Sequence, residues 1–555
     1  MKKAVEGTMH IRIQIILFSG LLSIGAAVWS QQATLLAARD AFEGKRYDEA
    51  IVLLREELQR NPNSDEAHYF LGMSLWQTGQ REEALAELRR ARELNSKKGD
   101  YLHAVGLLNL ELKKYDEAKA VLKESAKLKE NQGRFLLALG QVYLAQDSLN
   151  AALITLLKAR EAAPKDANIY VSLGDAYSKQ RVPALAIDNY REALKLEPDR
   201  VEVHYTLGKL LMKERNFNEA LLELQEVVRL QPNHPEAHFD LGNIYFTARR
   251  YGEAITALEN HVARQPQSYP GYFLLAKALY ATRQPTAALD KAVLAVQLNP
   301  TSVEAQRLLA NLYYDTRDYD NTAKVYERLA QIVSNGELQT EDYIRWGRSL
   351  TRAKRYSEAI AKLQKAVTLD STQADVYFDL GTLLVIEKRY REAIPCFEKK
   401  IHADSTAPGA FFNLGIAYLG LQDWQAAIPP LRQSVRLKPD YLEARLSLAR
   451  TYAQVDSIAQ AEAQYEAVLE LDPKNSEAMK QIGFYNLVKR NYGKATQMLR
   501  KHVELEPKSE YGWLWLAQGL ALNRQREESM AAYRRVLQLN PKNEDAIRGL
   551  KLLEQ

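Results

Sequence analysis

The stretch "AHFDLGNIYFTARRYGEAITALE", residues 237–259, carries more apolar side chains than one helix needs. Leu241, Ile244, Tyr245 and Ala248 recur at helical spacing and make one stripe. Tyr251, Ala254, Ile255 and Leu258 make a second after a break. The stretch therefore predicts two amphipathic helices joined by a short turn. Phe239 and Phe246 lie off the first stripe, seven residues apart and so on one helical face of their own. The rest of the chain has to say what these two rings are for.

Moving the stretch by thirty-four residues, or multiples of it, recovers the same pattern. It returns as "AHYFLGMSLWQTGQREEALAELRRA", "VHYTLGKLLMKERNFNEALLELQEV" and "ARLSLARTYAQVDSIAQAEAQYEAV". Fifteen such units fill the chain from Gln31 to Asn543, interrupted once by three extra residues around Asn335-Gly336-Glu337. The eighth place of every unit is Gly or Ala, and ten are Gly, Gly242 among them. A glycine inside a helix costs about 1 kcal/mol relative to alanine, so ten of them forfeit about as much as a whole domain's stability. Close approach of the second helix's backbone is the expected return. The twentieth place agrees, being Ala in thirteen units, with Thr322 and Ser529 the departures. Pro closes ten units at the thirty-second place, as at Pro62, Pro164, Pro232 and Pro541, and stops the second helix.

Thirty-four residues, a small eighth residue, frequent Tyr at the eleventh place (Tyr143, Tyr177, Tyr245, Tyr313, Tyr418, Tyr452), Ala at the twentieth and a terminal Pro resemble the tetratricopeptide repeat. The resemblance covers residues 31–543. It implies an all-α, right-handed superhelical solenoid of antiparallel helix pairs, with the first helices lining a concave groove. The Asn335-Gly336 pair, with Ser334 in place of Pro, predicts a loose joint that divides units 1–9 (residues 31–336) from units 10–15 (residues 337–543). Pro395 and Pro429-Pro430 fall inside second helices and predict mild bends. Residues 544–555 read as a capping helix that buries Ile547, Leu550 and Leu553.

The resemblance also implies that the second, fifth, ninth, twelfth and thirteenth places point into the groove. Phe239 and Phe246 occupy the fifth and twelfth. Tyr205, Phe273, Tyr280 and Tyr314 continue the row through units six to nine, and Tyr69, Trp76, Phe378 and Phe412 stand at matching places elsewhere. Two readings stay open: padding between adjacent first helices, or an apolar track for a peptide or partner helix. Beside the row lie Lys277 and Arg307, and then Arg345, Arg348 and Arg352 at i, i+3 and i+7. These five read either as a solvated face or as a basic pocket for a carboxylate. The clamp by which some family members hold a chaperone tail needs Lys, two Asn, then Lys and Arg at set groove places. Arg307 and Asn311 resemble its first pair, but Asp375 and Asp379 stand where the last cations belong.

Composition narrows the function. Net charge is +5 over 555 residues, which gives no electrostatic footprint for nucleic acid. The single cysteine, Cys396, excludes a disulfide framework within the chain and a cysteine-based zinc site. Residues 1–30 begin with Lys2 and Lys3, carry an apolar run from Ile15 to Trp29, and offer Val28-Trp29-Ser30 for cleavage. The run is shorter than the roughly 20 residues of a membrane-spanning helix. It reads as a signal peptide for export to a bacterial periplasm or cell envelope, with an uncleaved inner-membrane anchor as the alternative. "HPEAH", residues 234–238, has two His four apart, but His234 falls in a turn and His238 at a packing place shared by His68 and His204, so both read as structural. No phosphate loop, nucleophile elbow or dinucleotide fingerprint appears. Signal, repeats and cap consume the whole sequence, leaving no residues for a catalytic domain or cofactor site. The expectation is a non-catalytic scaffold or adaptor for a protein or peptide partner with apolar anchors and an acidic end. A membrane-anchored assembly factor using the same groove and an RNA-binding helical-repeat protein are the alternatives.

Overall fold

The computed structural model describes residues 33–333 and 338–555. The expected signal peptide and its cleavage site, and Ser334 with Asn335-Gly336-Glu337, lie outside the described residues. The chain forms two compact units that divide between Pro266 and Gln267. Each is a stack of antiparallel helix pairs, with no strand among the described residues.

The repeat sets the helices almost to the residue. The seventh repeat is Pro235–Thr247 and Tyr251–Arg264, the second is Asp65–Gln77 and Arg81–Leu94, and the fifteenth is Glu510–Leu522 and Arg526–Leu539. First helices thus span places 1–13 and second helices places 17–30. The third repeat departs from this, its second helix ending early in Tyr115–Ser125. Helices containing Pro395 (Tyr390–Ala403) and Pro429-Pro430 (Trp424–Leu437) keep the standard length. Ala248, placed in the first stripe by periodicity, is the exposed C-cap of its helix.

Between the two helices runs a turn that periodicity does not reveal. Place 15 is left-handed in every repeat, with φ near +60° at Arg249, Arg283 and Lys354, for example, and only Gly79 of the fifteen is a glycine. In the seventh repeat Arg249 N–H donates to Phe246 O at 3.0 Å and Arg250 N–H to Tyr245 O at 2.8 Å, the paired bonds of a Schellman motif. Eleven of the fifteen are Lys or Arg. A cation there meets the negative end of the first helix's dipole, which partly offsets the backbone cost.

The glycines at place 8 are explained by a plug and not, as the sequence suggested, mainly by backbone contact. A Cβ on Gly242 would lie 2.6 Å from Leu258 Cγ, and one on Gly381 would lie 2.8 Å from Phe397 Cε1. In all ten cases the nearest obstacle is the side chain at place 24 of the same repeat's second helix. That residue is buried in all fifteen repeats, as Leu, Tyr, Phe or, once, Ala292, which faces Ala276 at place 8. Filling these hollows with Leu or larger side chains contributes roughly 1.5–3 kcal/mol each, enough to outweigh the glycine cost.

Another device joins successive repeats. Place 4 donates a side-chain hydrogen bond to the carbonyl of the Pro six residues earlier: Tyr170 to Pro164 at 3.0 Å, Gln306 to Pro300 at 2.9 Å, Trp513 to Pro507 at 3.0 Å. His204 Nε2 and His238 Nε2 make the same contact with Pro198 and Pro232, at 2.8 and 2.9 Å. This gives His238 a structural role. His234 caps the seventh repeat by accepting from Ala237 N–H.

The terminal helix Glu544–Glu554 packs through Ala546, Leu550 and Leu553 against Leu516, Tyr533 and Val536. Ile547 was expected in this face but is 46% exposed. The buried residues follow an i, i+4, i+7 register, which turns position 547 away.

Buried histidine makes the stack sensitive to acid. His103 is 5% exposed, against the Phe135 ring, and burial, helped by Arg134, pushes its imidazole down to about 3. A depressed histidine stabilises the fold above its unfolded value of about 6.5, and that contribution is lost as pH falls toward 3. The loss is on the order of 1.4 kcal/mol per pH unit crossed. His204 has the opposite sign: burial lowers it, but Glu223 and the Pro198 carbonyl together hold it high. The expected outcome is that a His103→Gln protein loses less stability than the parent between pH 7 and pH 5, read from urea midpoints.

Candidate functional site

The residues marked by the sequence divide between the two compact units. Tyr205, Phe239 and Phe246 belong to the first. All three are half-buried and engaged within it. Tyr205 O–H donates to Asp240 of the next repeat at 3.1 Å, and its ring lies 4.7 Å from the His234 ring. Burial first, and then Asp240, raise its phenol above the usual range, so it stays a donor. Phe239 lies 5.1 Å from His261 and Phe246 lies 5.5 Å from Tyr251, each on the second helix of its own repeat.

The other eight lie in the second unit, and most are tied to a neighbouring repeat. Tyr269 stacks on Phe273 at 5.8 Å, with Lys277 Nζ 5.4 Å from the Phe273 ring centre. Tyr280 O–H donates to Asp315. Arg307 bonds Asp342 through Nε at 3.1 Å and its terminal nitrogen at 3.0 Å, joining repeat nine to repeat ten. Asp342 is 3% exposed and also accepts from Gln339 N–H, as part of a capping box at the start of Thr340–Arg352. Arg345 bonds Glu341 at 2.9 Å and Asn311 at 3.0 Å, and lies 5.7 Å from the Tyr314 ring centre. Arg348 Nε donates to Asp379 at 2.8 Å. Burial opposes the Arg348 charge, but the Asp379 hydrogen bond and charge together outweigh it.

Lys209 and Asp240 repeat that last contact at 2.9 Å. Both carboxylates sit in a "FDLG" sequence, residues 239–242 and 378–381, with a cation thirty-one residues upstream. Asp379, which breaks the family's clamp pattern, is therefore an inter-repeat brace. Arg352 differs from its neighbours: it is exposed and makes no hydrogen bond or ion pair among the described residues.

Tyr314, Arg348 and Arg352 meet at a hollow of about 260 Å³ formed by the first helices of repeats nine to eleven. Thr351, Phe378, Asp379, Thr382, Leu383 and Ile386 complete its lining. Its threonine hydroxyls are committed, Thr351 to Gly347 O at 2.9 Å and Thr382 to Phe378 O at 2.8 Å. Arg348 and Asp379 neutralise one another. What the hollow offers a ligand is an apolar wall, with Ile386 50% exposed, and the Arg352 guanidinium. Sequence reasoning singled out both arginines and two of the rings but missed Ile386, a plain aliphatic at the thirteenth place.

Family models described as "Tetratricopeptide repeat" match residues 41–107, 109–173, 167–200, 205–270, 273–337, 378–441 and 418–482, and one described as "TPR repeat" matches residues 347–385. The chain belongs to the tetratricopeptide repeat family. No curated protein matches this tetratricopeptide array. Among solved structures it is similar to YrrB, "a TPR protein with an unusual peptide-binding site", at 21% identity over 34% of this chain and 97% of that one, with a TM-score of 0.32. It is also similar to the C-terminal part of a TPR repeat-containing protein from Cytophaga hutchinsonii, at 24% identity over 50% and 99%, with a TM-score of 0.33. The Cut9–Hcn1 hetero-tetramer of APC/C matches at 14% identity over 82% and 96%, with a TM-score of 0.33. Among the described residues no group of His, Cys, Asp and Glu could hold a metal ion, and no helix is long and apolar enough to cross a membrane.

Proposed function

We propose that the protein is a non-catalytic scaffold or adaptor of the bacterial cell envelope, exported through residues 1–30, that holds a segment of a partner protein on its first helices. The observation that carries this reading is the hollow of repeats nine to eleven, where an apolar wall meets a guanidinium that makes no hydrogen bond or ion pair among the described residues. A segment with apolar anchors and an acidic end fits both. Arg352 takes the carboxylate, as a planar fork suited to it. Tyr314, Phe378 and Ile386 receive the apolar anchors. The remaining groove residues, Tyr205, Phe239, Phe246, Phe273, Tyr280, Lys277, Arg307 and Arg345, hold the groove's shape through their contacts with neighbouring repeats. Export is supported by the basic start and apolar run of residues 1–30.

Envelope fractionation followed by intact mass measurement is expected to find a chain that begins at Gln31. Partners captured on that chain are then compared across two double variants. Arg352→Glu with Ile386→Ser should lower affinity at least about tenfold, in line with the loss of a central anchor. Phe239→Ala with Phe246→Ala should lower stability and leave the affinity of the folded fraction unchanged. Parent-like binding by the first pair would remove the hollow as the site. A chain that keeps residues 1–30 and sediments with membranes would replace export by anchoring.

A further inference from the structure

Apart from Leu36 in repeat one, the large apolar side chains most exposed on first helices are not in the row that the sequence marked. They gather at the C-terminal end of the second unit. Val488 is 63% exposed, Tyr511 65% and Leu522 55%, on the first helices of repeats fourteen and fifteen, and Leu552 of the terminal helix is 73% exposed. Phe484 and Trp515 join them, their rings 4.5 Å apart, with Tyr511 6.1 Å from Trp515. Counted from the start of each repeat, with the terminal helix as a sixteenth, these six occupy places 2, 6, 9 and 13. They therefore lie on one side of three consecutive first-type helices. Tight packing supports the platform: a Cβ on Gly519 would lie 2.9 Å from Leu487 and 3.1 Å from Thr496 of the preceding repeat. Single exposed apolar residues are ordinary, but a contiguous group of this kind marks an interaction surface.

Charge says what kind of partner fits. Most carboxylates on these helices are engaged within the array: Glu477 with Arg450, Glu510 with Asn540 and Asn543, Asp545 with Arg548 and Glu554 with Arg534, while Glu544 makes no side-chain hydrogen bond or ion pair among the described residues. Lys480 forms no ion pair among the described residues, nor do Arg490 and Arg524 in the turns that follow Val488 and Leu522. Unpaired cations on the rim therefore outnumber unpaired acids. Stacked helices about 8–10 Å apart also present ridges with grooves between them, suited to anchors at i, i+3, i+4 and i+7 of a helix. The unpaired cations are spread over a helix face and two separate turns, not gathered in the cluster that marks anionic-lipid binding.

We infer that repeats fourteen and fifteen with the terminal helix form a second docking surface, separate from the hollow of repeats nine to eleven. Its occupant is an amphipathic helix of a partner protein, apolar on one face and flanked by carboxylates. The inference rests on the scaffold reading but not on the hollow.

The probe is a labelled peptide of about twenty residues, leucine on one helical face and glutamate on the other, titrated with the full chain by fluorescence polarisation. A peptide with lysine in place of glutamate and phosphatidylglycerol vesicles run in parallel. The acidic peptide should bind, and Tyr511→Ser with Leu522→Ser should weaken it at least about tenfold, since exposed anchors are removed without touching the core. Lys480→Glu should weaken it less and reduce its salt dependence. Arg352→Glu should leave it unchanged. Failure of the parent to bind the acidic peptide, equal binding by the Tyr511 and Leu522 variant, or preference for the basic peptide would overturn the inference. So would vesicle binding that depends on Tyr511, which would make the surface a lipid site. Loss of binding in Arg352→Glu alone would return the site to the hollow and leave the scaffold reading standing.

Discussion

Gly242→Leu should destabilise the protein by about 3 kcal/mol, measured as a fall in urea midpoint at unchanged slope. Two terms oppose each other. Leaving glycine in a helix interior gains about 1 kcal/mol in propensity. Forcing four carbons into a space where even a Cβ would lie 2.6 Å from Leu258 Cγ costs more. Gly252→Ala is the internal control. It lies at the start of the same repeat's second helix with nothing within 4 Å of a Cβ, and should stabilise by up to about 1 kcal/mol. Pairing Gly242→Ala with Leu258→Ala should cost less than the two singles together, because it recreates the Ala276 and Ala292 pair of repeat eight. Strict additivity would mean that the two places are not matched to each other.

Asp342→Ala should cost roughly 3 kcal/mol, the second largest expected effect. The substitution removes a nearly buried carboxylate bonded to Arg307 and also the capping box of Thr340–Arg352, which alone is worth about 1 kcal/mol. Asp379→Ala makes the contrast. Its partner Arg348 is 40% exposed and Asp379 35%, so the change should cost at most about 1 kcal/mol. The same change frees Arg348 beside the hollow and should strengthen the binding of an acidic segment. Equal costs for the two substitutions would mean that burial is not what separates the two ion pairs.

The helix pairs were legible because each repeat restates the rule. A small residue at place 8, alanine at place 20 and proline at place 32 recur against varied neighbours. The plug at place 24 was not legible: leucine is the most ordinary of core residues, and only stacking shows that Leu258 enters the hollow left by Gly242. The left-handed turn was hidden because it is written in Lys and Arg where a glycine would have announced it. The site was read less well for a related reason. Arg307, Arg345 and Arg348 look like a basic patch in one dimension, yet Asp342 and Asp379, partners of two of them, come from the next repeat. Place within the repeat fixes the side of the helix that a residue occupies. Whether a neighbour engages it, as Asp240 of the next repeat engages Tyr205 while Tyr511 stays 65% exposed, depends on the chain one turn of the stack away.

Hydrogen exchange of the full chain, alone and with its captured partner, tests the scaffold reading most directly. The expected result is slowed exchange on binding in the first helices Thr340–Arg352 and Ala374–Ile386, whose side chains line the hollow. Slowed exchange confined to second helices such as Tyr356–Leu369, with those first helices unchanged, would contradict it.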